Sequence, residues 1–304
     1  MKVIYDVAEH QKKIKDSIRK HGHFAEHNFV HYLYSETKPN RNVLFDFGNS
    51  KSVLARCDKE HKVWALFPNG ILAPEKERID LLLEASYYIL KKQKAKKFSV
   101  EVSEEIRKGL LNRFRTTNGI KACNCNCILY WPLYNMDLWD AKLNGGKFKK
   151  LRNVSNRFYR KNKVRVFDSR LVPKEKLMDI VTAWTSRRRR HDRVHKDYYF
   201  NLINNNFKGV DIAKTMYVNG KPCTITAGWK IPNSNNYYSS VGIMDYSRPD
   251  LGEVANMDDL NRLKECGYDY VDFGGSEKSL LYFKKKFKPE TIYKTYIFSI
   301  VRSK

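Results

Sequence analysis

The order of helices and strands predicted for the second half of the chain is what most limits its fold. Alternating apolar residues predict strands at residues 163–167, 212–218, 223–231, 237–244, 270–273 and 292–301. Helical spacing of apolar residues predicts helices at residues 146–161, 173–190, 198–204 and 252–266, and one beginning at residue 277. From residue 163 the order is strand, two helices, three strands, helix, strand, helix, strand. Such a mixture predicts an α/β (α+β) fold in which helices flank a mixed sheet.

The first half of the chain predicts a similar but less regular mixture. Its expected strands are residues 43–47, 52–57, 63–67, 98–102 and 121–131. A helix is expected over residues 10–34, another from residue 74, and a third over residues 103–114. With 304 residues, the chain has room for two modules or one large one.

The charge balance favours a polyanionic partner. The chain carries 58 Lys and Arg against 33 Asp and Glu, a net charge of +25, while 42% of its residues are apolar. That apolar fraction excludes a disordered chain, and the surplus of cations favours RNA, DNA or anionic lipid. The alternative is a basic protein without such a partner. No apolar stretch reaches the ~18–20 residues of a membrane span, and the N-terminus lacks the apolar core of a signal peptide. We therefore expect a cytoplasmic protein with free thiols.

Two segments near the C-terminus carry a family resemblance. Residues 267–275 read Gly-Tyr-Asp-Tyr-Val-Asp-Phe-Gly-Gly, and residues 281–287 read Leu-Tyr-Phe-Lys-Lys-Lys-Phe. They resemble the end of the Fem-type peptidoglycan aminoacyl transferases. Residues 146–158 are similar to the basic helix of the C-terminal domain of phosphatidylglycerol lysyltransferases, and residues 187–202 resemble an Arg-rich helix and turn of both groups.

The resemblance implies a tandem-GNAT architecture and an activity. It implies two GNAT-like units, residues 1–130 and 131–304, each a twisted mixed sheet flanked by helices. It also implies an aminoacyltransferase that takes an amino acid from aminoacyl-tRNA to an amine or hydroxyl of a small molecule, lipid headgroup, peptide or carrier. The partners would be tRNA and that acceptor, with peripheral membrane contact if the acceptor is a lipid. No metal and no organic cofactor is implied.

Two other functions stay open. One is an acyl-CoA-dependent N-acyltransferase, in which a coenzyme A thioester is the donor. Residues 245–253 argue against it, because this segment has a single glycine, and Asp250 and Glu253 would repel a pyrophosphate. The other is a non-catalytic RNA- or membrane-binding protein of the same fold.

The C-terminal motif supplies the candidate catalytic residues. Under the resemblance, Lys284 would face the carbonyl under attack, aided by backbone N–H groups near Gly274 and Gly275. Asp272 would hold the acceptor amine or relay its proton. The alternatives are a Lys284 that only extends past the apolar Phe287 and an Asp272 that only caps the glycine turn.

Two basic segments supply candidate substrate- and RNA-binding residues. No acidic residue occurs between residues 141 and 167, and we expect cations there to contact RNA phosphates. The candidates for RNA binding are Lys149, Lys150, Arg152, Arg157, Arg160 and Lys285. Under the resemblance, Arg193 and Tyr198 would approach the acceptor or the RNA terminus. The alternative for the basic helix is a solvated charged face.

Two clusters of metal-binding residue types also attract attention. His23, His27 and His31 recur every four residues, which would place them on one face of the predicted helix, but no further ligand is indicated. Cys123, Cys125 and Cys127 alternate along a predicted strand, where buried small apolar side chains are the favoured interpretation. Metal binding is the less favoured alternative for both.

Overall fold

The structure is a computed structural model that describes residues 1–116, 118–187 and 196–303. Within these residues the strands are β1 (Lys2–Ile4), β2 (Asn40–Asp46), β3 (Ser52–Asp58), β4 (Val63–Leu72), β5 (Lys97–Ser103), β6 (Ile120–Asn135), β7 (Val164–Asp168), β8 (Ile212–Val218), β9 (Lys221–Pro222), β10 (Thr224–Lys230), β11 (Tyr237–Met244), β12 (Tyr270–Asp272) and β13 (Thr291–Arg302). The α-helices are α1 (Gln11–His21), α2 (Phe29–Tyr34), α3 (Arg78–Tyr87), α4 (Glu104–Thr116), α5 (Lys149–Lys161), α6 (Lys174–Ser186), α7 (Lys196–Asn204), α8 (Leu251–Glu265) and α9 (Lys278–Lys284).

The strands join into one continuous mixed sheet. Its order is β1-β2-β3-β4-β5-β13-β6-β12-β11-β10-β8-β7, and β9 pairs with β8. The C-terminal strand β13 lies between β5 and β6 and pairs antiparallel with both. The division predicted at residue 130 therefore falls inside β6, a strand that connects the two halves of the sheet.

Helices cover both faces of each half of the sheet. In the first half, α3 and α4 pack over one face through Leu82 and Leu110, and α1 and α2 pack over the other. In the second half, α6 and α7 cover one face, and α5 and α8 cover the other. Burial on both faces explains why several strands are nearly continuous apolar runs. The predicted α/β class, a mixed sheet flanked by helices, is confirmed.

The helix predicted over residues 10–34 is wrong, because the chain breaks it into two. Helix α1 ends before Gly22, where a Cβ would lie 2.4 Å from the backbone oxygen of Ile18. Helix α2 begins after Asn28, whose side chain accepts hydrogen bonds from the backbone N–H groups of Val30 and His31. The histidines expected on one helix face are therefore divided between a turn and α2.

The buried placement expected for the three alternating cysteines is also wrong. Cys123 is exposed, and Cys125 and Cys127 keep part of their surface accessible. The reason is that β12 pairs with β6 only at residues 133–135 and a single bridge joins Tyr130 to Ser276, so residues 120–129 have no strand beside them on that edge within the described chain. Bulges in the pairing of β6 with β13 further disturb the alternation.

The sheet opens between two parallel strands of its second half. Strands β11 and β12 pair only where Tyr237 and Tyr238 face Val271 and Asp272. Strand β11 continues to Met244, whereas β12 ends at Asp272. The backbone then turns through Gly274 and Gly275 into α9. The resulting gap lies at the carboxyl ends of the two parallel strands, where open sheets commonly bind ligands.

None of the described helices is both long enough and apolar enough to cross a lipid bilayer.

Candidate active site

A cavity of about 440 Å³ occupies the gap between β11 and β12. Strand β11, the start of α8, the turn after β12 and helix α9 all contribute to its wall. Among the residues that line it are Tyr238, Ser239, Ser240, Asp245, Asp250, Glu253, Gly274, Gly275, Phe283 and Lys284. The structure thus brings together Lys284 and the two glycines that the sequence nominated.

Lys284 is held against the turn that follows β12. Its Nζ donates to the backbone oxygens of Phe273, at 2.5 Å, and Gly274, at 3.0 Å. These two bonds occupy two of the three N–H groups of the ammonium. Burial lowers the pKa of Lys284 to about 8, and the negative charge of Asp272 opposes this shift. The ammonium is therefore close to its titration point near neutral pH.

Asp272 lies beside Lys284 at the end of β12, and both of its oxygens are hydrogen-bonded. The Gly274 N–H donates to Oδ1 at 2.7 Å, and the Tyr293 hydroxyl donates to Oδ2 at 2.6 Å. Burial raises the pKa of Asp272 to about 6, against the effect of both hydrogen bonds and Lys284. Asp272 therefore caps the glycine turn, as one of the two interpretations of the sequence expected. It also places a negative charge close to Lys284.

Both glycines of the turn are required by their surroundings. Gly274 has a φ of +79°, in the left-handed region. At Gly275 a Cβ would lie 2.9 Å from a ring carbon of the buried Trp131. The N–H of Gly274 is already bonded to Asp272, so it is not the free donor expected from the sequence, whereas the N–H of Gly275 has no partner among the described residues.

The candidate RNA-binding residues separate into two groups. Arg157 forms two 2.7 Å hydrogen bonds with Asp250, and Arg152 donates to the backbone oxygens of Leu143 and Gly145. These two arginines are therefore engaged within the protein. The remaining candidates are exposed: Lys149, Lys150, Arg160 and Lys285.

The two candidates from the Arg-rich segment end in different places. Arg193 lies outside the described residues. Tyr198 lies in α7, its ring edge-on to that of His31 with centroids 5.1 Å apart. Burial raises the pKa of Tyr198 above its usual range. Its place is thus the layer between α2 and α7, and it is not among the described residues that line the cavity.

The ring nitrogens of His27 are hydrogen-bonded within the protein. His27 accepts from the backbone N–H groups of His23 and Phe24 through Nδ1 and donates to the oxygen of Asn69 through Nε2. Both nitrogens of His27 are therefore occupied. In the described part of the chain, no group of three or more His, Cys, Asp or Glu residues is placed to hold a metal ion.

A second group of charged residues, which the sequence analysis did not nominate, lies inside the molecule. It consists of Glu26, Arg56 and Glu101, with His31 beside Glu26 at 3.8 Å between His31 Nε2 and Glu26 Oε1. Burial raises the pKa of Glu26 and of Glu101 to about 8. The sequence offered a weak signal, a charged residue flanked by apolar ones at Arg56 in β3 and at Glu101 in β5, which a solvent-facing strand also shows.

Three solved structures of similar overall shape bear on this geometry. L-PGS from Bacillus licheniformis has a TM-score of 0.67 at 15% identity, over 94% of this chain and 90% of that one. A tandem GNAT protein from the clavulanic acid biosynthesis pathway has a TM-score of 0.59 at 10% identity, over 99% and 98%. FemX has a TM-score of 0.58 at 12% identity, over 98% and 97%. No family model matches the chain, and no curated protein matches it.

The chain has the tandem GNAT fold. The expected likeness to Fem-type aminoacyl transferases and to L-PGS is confirmed at the level of that fold, which is an acyltransferase-like fold.

In this tandem GNAT fold, carboxylates occupy the start of α8. Asp250 precedes the helix and pairs with Arg157, and Glu253 in its first turn pairs with Lys286 at 2.6 Å. A helix N-terminus is a favourable position for a phosphate, but here acidic side chains occupy it and already have cationic partners. A pyrophosphate would have to displace them.

Proposed function

We propose that the protein is an acyltransferase that moves an aminoacyl group from aminoacyl-tRNA to an amine or hydroxyl acceptor. The observation that carries the proposal is the position of Lys284, held by the 273–275 turn at the wall of the cavity where β11 and β12 separate. The tandem GNAT fold, shared with L-PGS and FemX, supports it. In this proposal residues 131–304 hold the reacting groups, and residues 1–130 shape the cleft by which the acceptor approaches.

The chemistry is aminolysis or alcoholysis of an ester. The acceptor atom bonds to the carbonyl carbon, the bond to the ribose oxygen breaks, the acceptor loses a proton and the ribose oxygen gains one. Lys284 retains one N–H that can stabilise the developing oxyanion and protonate the departing oxygen. A pKa of about 8 suits this exchange near neutral pH. Asp272 acts as a positioning residue that fixes the turn and favours the charged form of Lys284.

Aminoacyl-tRNA is the donor favoured by the charge distribution. The start of α8 carries Asp250 and Glu253, which disfavour the pyrophosphate of a coenzyme A thioester. The exposed cations of α5 suit a ligand that offers many phosphates. On this proposal the reaction needs no metal or organic cofactor, and it takes place in the cytoplasm, where charged tRNA is found. A lipid acceptor would add a peripheral membrane contact.

The test is a transfer assay with separately labelled aminoacyl-tRNAs and a panel of amine and alcohol acceptors. We expect label to leave the RNA and appear on an acceptor. Replacing Lys284→Met should lower kcat by about 10²–10³-fold, the usual cost of losing one oxyanion donor. The matched control is Lys278→Met, an exposed lysine of the same helix, which should leave kcat unchanged.

Three outcomes would contradict this function. Transfer that survives Lys284→Met at full rate would remove the active-site assignment. Tight calorimetric binding of coenzyme A, with acyl transfer from its thioester, would make the protein an acyl-CoA-dependent N-acyltransferase. Binding of tRNA without transfer from any aminoacyl-tRNA would indicate a non-catalytic RNA-binding protein.

A further inference from the structure

The buried charged residues lie on one face of the first half-sheet, at its junction with the second half. Arg56 shares a face of β3 with Leu54, which packs under α1 and α2. Val100 and Val102 of β5 point to the opposite core, so Glu101 lies on the same face as Arg56. Glu26 belongs to the segment between α1 and α2, which completes this layer.

The group extends to the active-site cavity through Tyr238. The ring of Tyr238 lines that cavity, and the charges of both Glu26 and Asp272 act on its hydroxyl. Glu101 is fixed in place from the other side, since the Thr295 hydroxyl donates to its Oε1 at 2.7 Å and in turn accepts from the Trp131 indole at 2.9 Å. Glu26, Arg56 and Glu101 are not among the described residues that line the cavity, so Tyr238 is the link between the two groups.

The described charges in this region do not balance. The carboxylates are Glu26, Glu101 and Asp272, whereas the cations are Arg56 and Lys284. His31 does not supply the missing positive charge, because burial lowers its pKa to about 3 and leaves the imidazole neutral. The free protein can relieve the deficit by keeping a proton on a carboxyl, and a glutamate holds it most tightly, because burial raises the pKa of both glutamates to about 8 and that of Asp272 to about 6.

Several polar atoms in the group have no partner within the described protein. Glu26 Oε2 and His31 Nδ1 are buried without a hydrogen bond. Arg56 forms no ion pair within 4.0 Å with any carboxylate of the described chain. The side chains of Glu26 and His31 nevertheless keep 13% and 14% of their surface accessible. Unpaired polar groups at such depth are costly to a fold unless a ligand or water satisfies them.

We propose that Glu26 and Glu101, together with the cationic Arg56, form a subsite that binds an alkylammonium group of a substrate. The bound ammonium supplies the missing cation and donates to the free oxygen of Glu26. The inference refines the proposed function by naming an amine as part of what the site accepts. The amine belongs either to the acceptor or to the transferred aminoacyl group.

The first experiment needs no enzymatic turnover. The protein is titrated with n-butylamine, and with 1-butanol as the uncharged control, by calorimetry in amine-free buffers of different ionisation enthalpy. We expect butylamine to bind, butanol not to bind, and up to about one proton to be released near neutral pH, because the incoming cation favours ionised glutamates. No butylamine binding, or binding without proton release, would overturn the subsite.

The groups that face the two glutamates decide which protons move. They are Arg56, His31, Tyr198, Tyr238, Tyr293 and Asp272. The tyrosines have their pKa values raised by burial and stay neutral, and His31 is already neutral. Asp272, with a pKa of about 6, is mostly ionised above neutral pH, so the proton released there comes from a glutamate.

Two conservative variants locate the site. Glu26→Gln and Glu101→Gln should each weaken butylamine binding by tenfold or more and reduce the proton release, whereas Glu60→Gln, at an exposed position, should change neither. Unchanged binding in both folded variants would place the amine elsewhere and overturn the proposal. If a variant fails to fold, the proton release of the unmodified protein still decides.

Transfer kinetics then separate the two sources of the amine. If the acceptor fills the subsite, Glu26→Gln raises the KM for an amine acceptor and spares an alcohol of the same length. If the aminoacyl group fills it, the variant loses preference for a cationic over an apolar aminoacyl-tRNA. Butylamine binding without any transfer would refute the proposed function and leave the subsite intact, and transfer without butylamine binding would do the reverse.

Discussion

Replacing Glu101 by Gln should make the folding stability less dependent on pH. The carboxyl of Glu101 has a pKa of about 8 in the folded protein against an ordinary value of 4.5. The folded state therefore holds a proton that the unfolded chain releases, so this group favours folding at low pH and the benefit is lost as pH rises towards 8. At 1.36 kcal/mol per pKa unit, the loss between about pH 5.5 and about pH 8.5 is about 3 kcal/mol.

Glutamine cannot ionise, and its carbonyl oxygen can still accept the hydrogen bond from Thr295. The change that Glu101→Gln causes in the free energy of unfolding should therefore be about 3 kcal/mol more favourable at the higher pH than at the lower one. The measurement is urea unfolding followed by tryptophan fluorescence, in phosphate and borate, because an amine buffer would enter the proposed subsite. Glu60→Gln is the control. An equal effect of Glu101→Gln at both pH values would refute the raised pKa of this buried carboxyl.

Three further outcomes follow from the structure. Gly275→Ala should lower the free energy of unfolding by about 1–3 kcal/mol through overlap with Trp131. Gly242→Ala, where a Cβ meets nothing within 4 Å, should cost much less in the same denaturant titration. A thiol reagent should modify the exposed Cys123 well before the buried Cys223, whose pKa burial also raises, and mass spectrometry of the peptides gives the order. Alanine at Lys149, Lys150 or Arg160 should reduce the slope of log Kd for tRNA against log salt concentration by about one unit for each cation that binds a phosphate.

The sequence was informative where local chemistry and fold agree. The Gly-Gly turn before a short helix was recognisable because Gly274 adopts a backbone conformation that suits glycine and Gly275 has no room for a side chain. Lys284, placed ten residues further on, returns to that turn through one short helix. Such a site is encoded within a single stretch of chain, and one sequence is enough to predict its neighbours.

The inner charged group was beyond the reach of the sequence for a physical reason. Glu101 alternates with Val100 and Val102, a pattern that normally indicates a solvent-facing side of a strand. Only the tertiary placement of the 22–28 segment over that side encloses it. The break between α1 and α2 was missed as well, and with it the position of Glu26, because the same apolar residues satisfy a single longer helix.

The placement of β13 has a consequence for the synthesis of the chain. Strands β5 and β6 each lack the partner that lies between them until residues 291–302 have left the ribosome, so the two halves of the sheet stay unjoined while most of the polypeptide is made. Two unpaired edges on a nascent chain invite pairing with other chains. A translation product that stops before residue 291, and so lacks this strand, should therefore accumulate as aggregate.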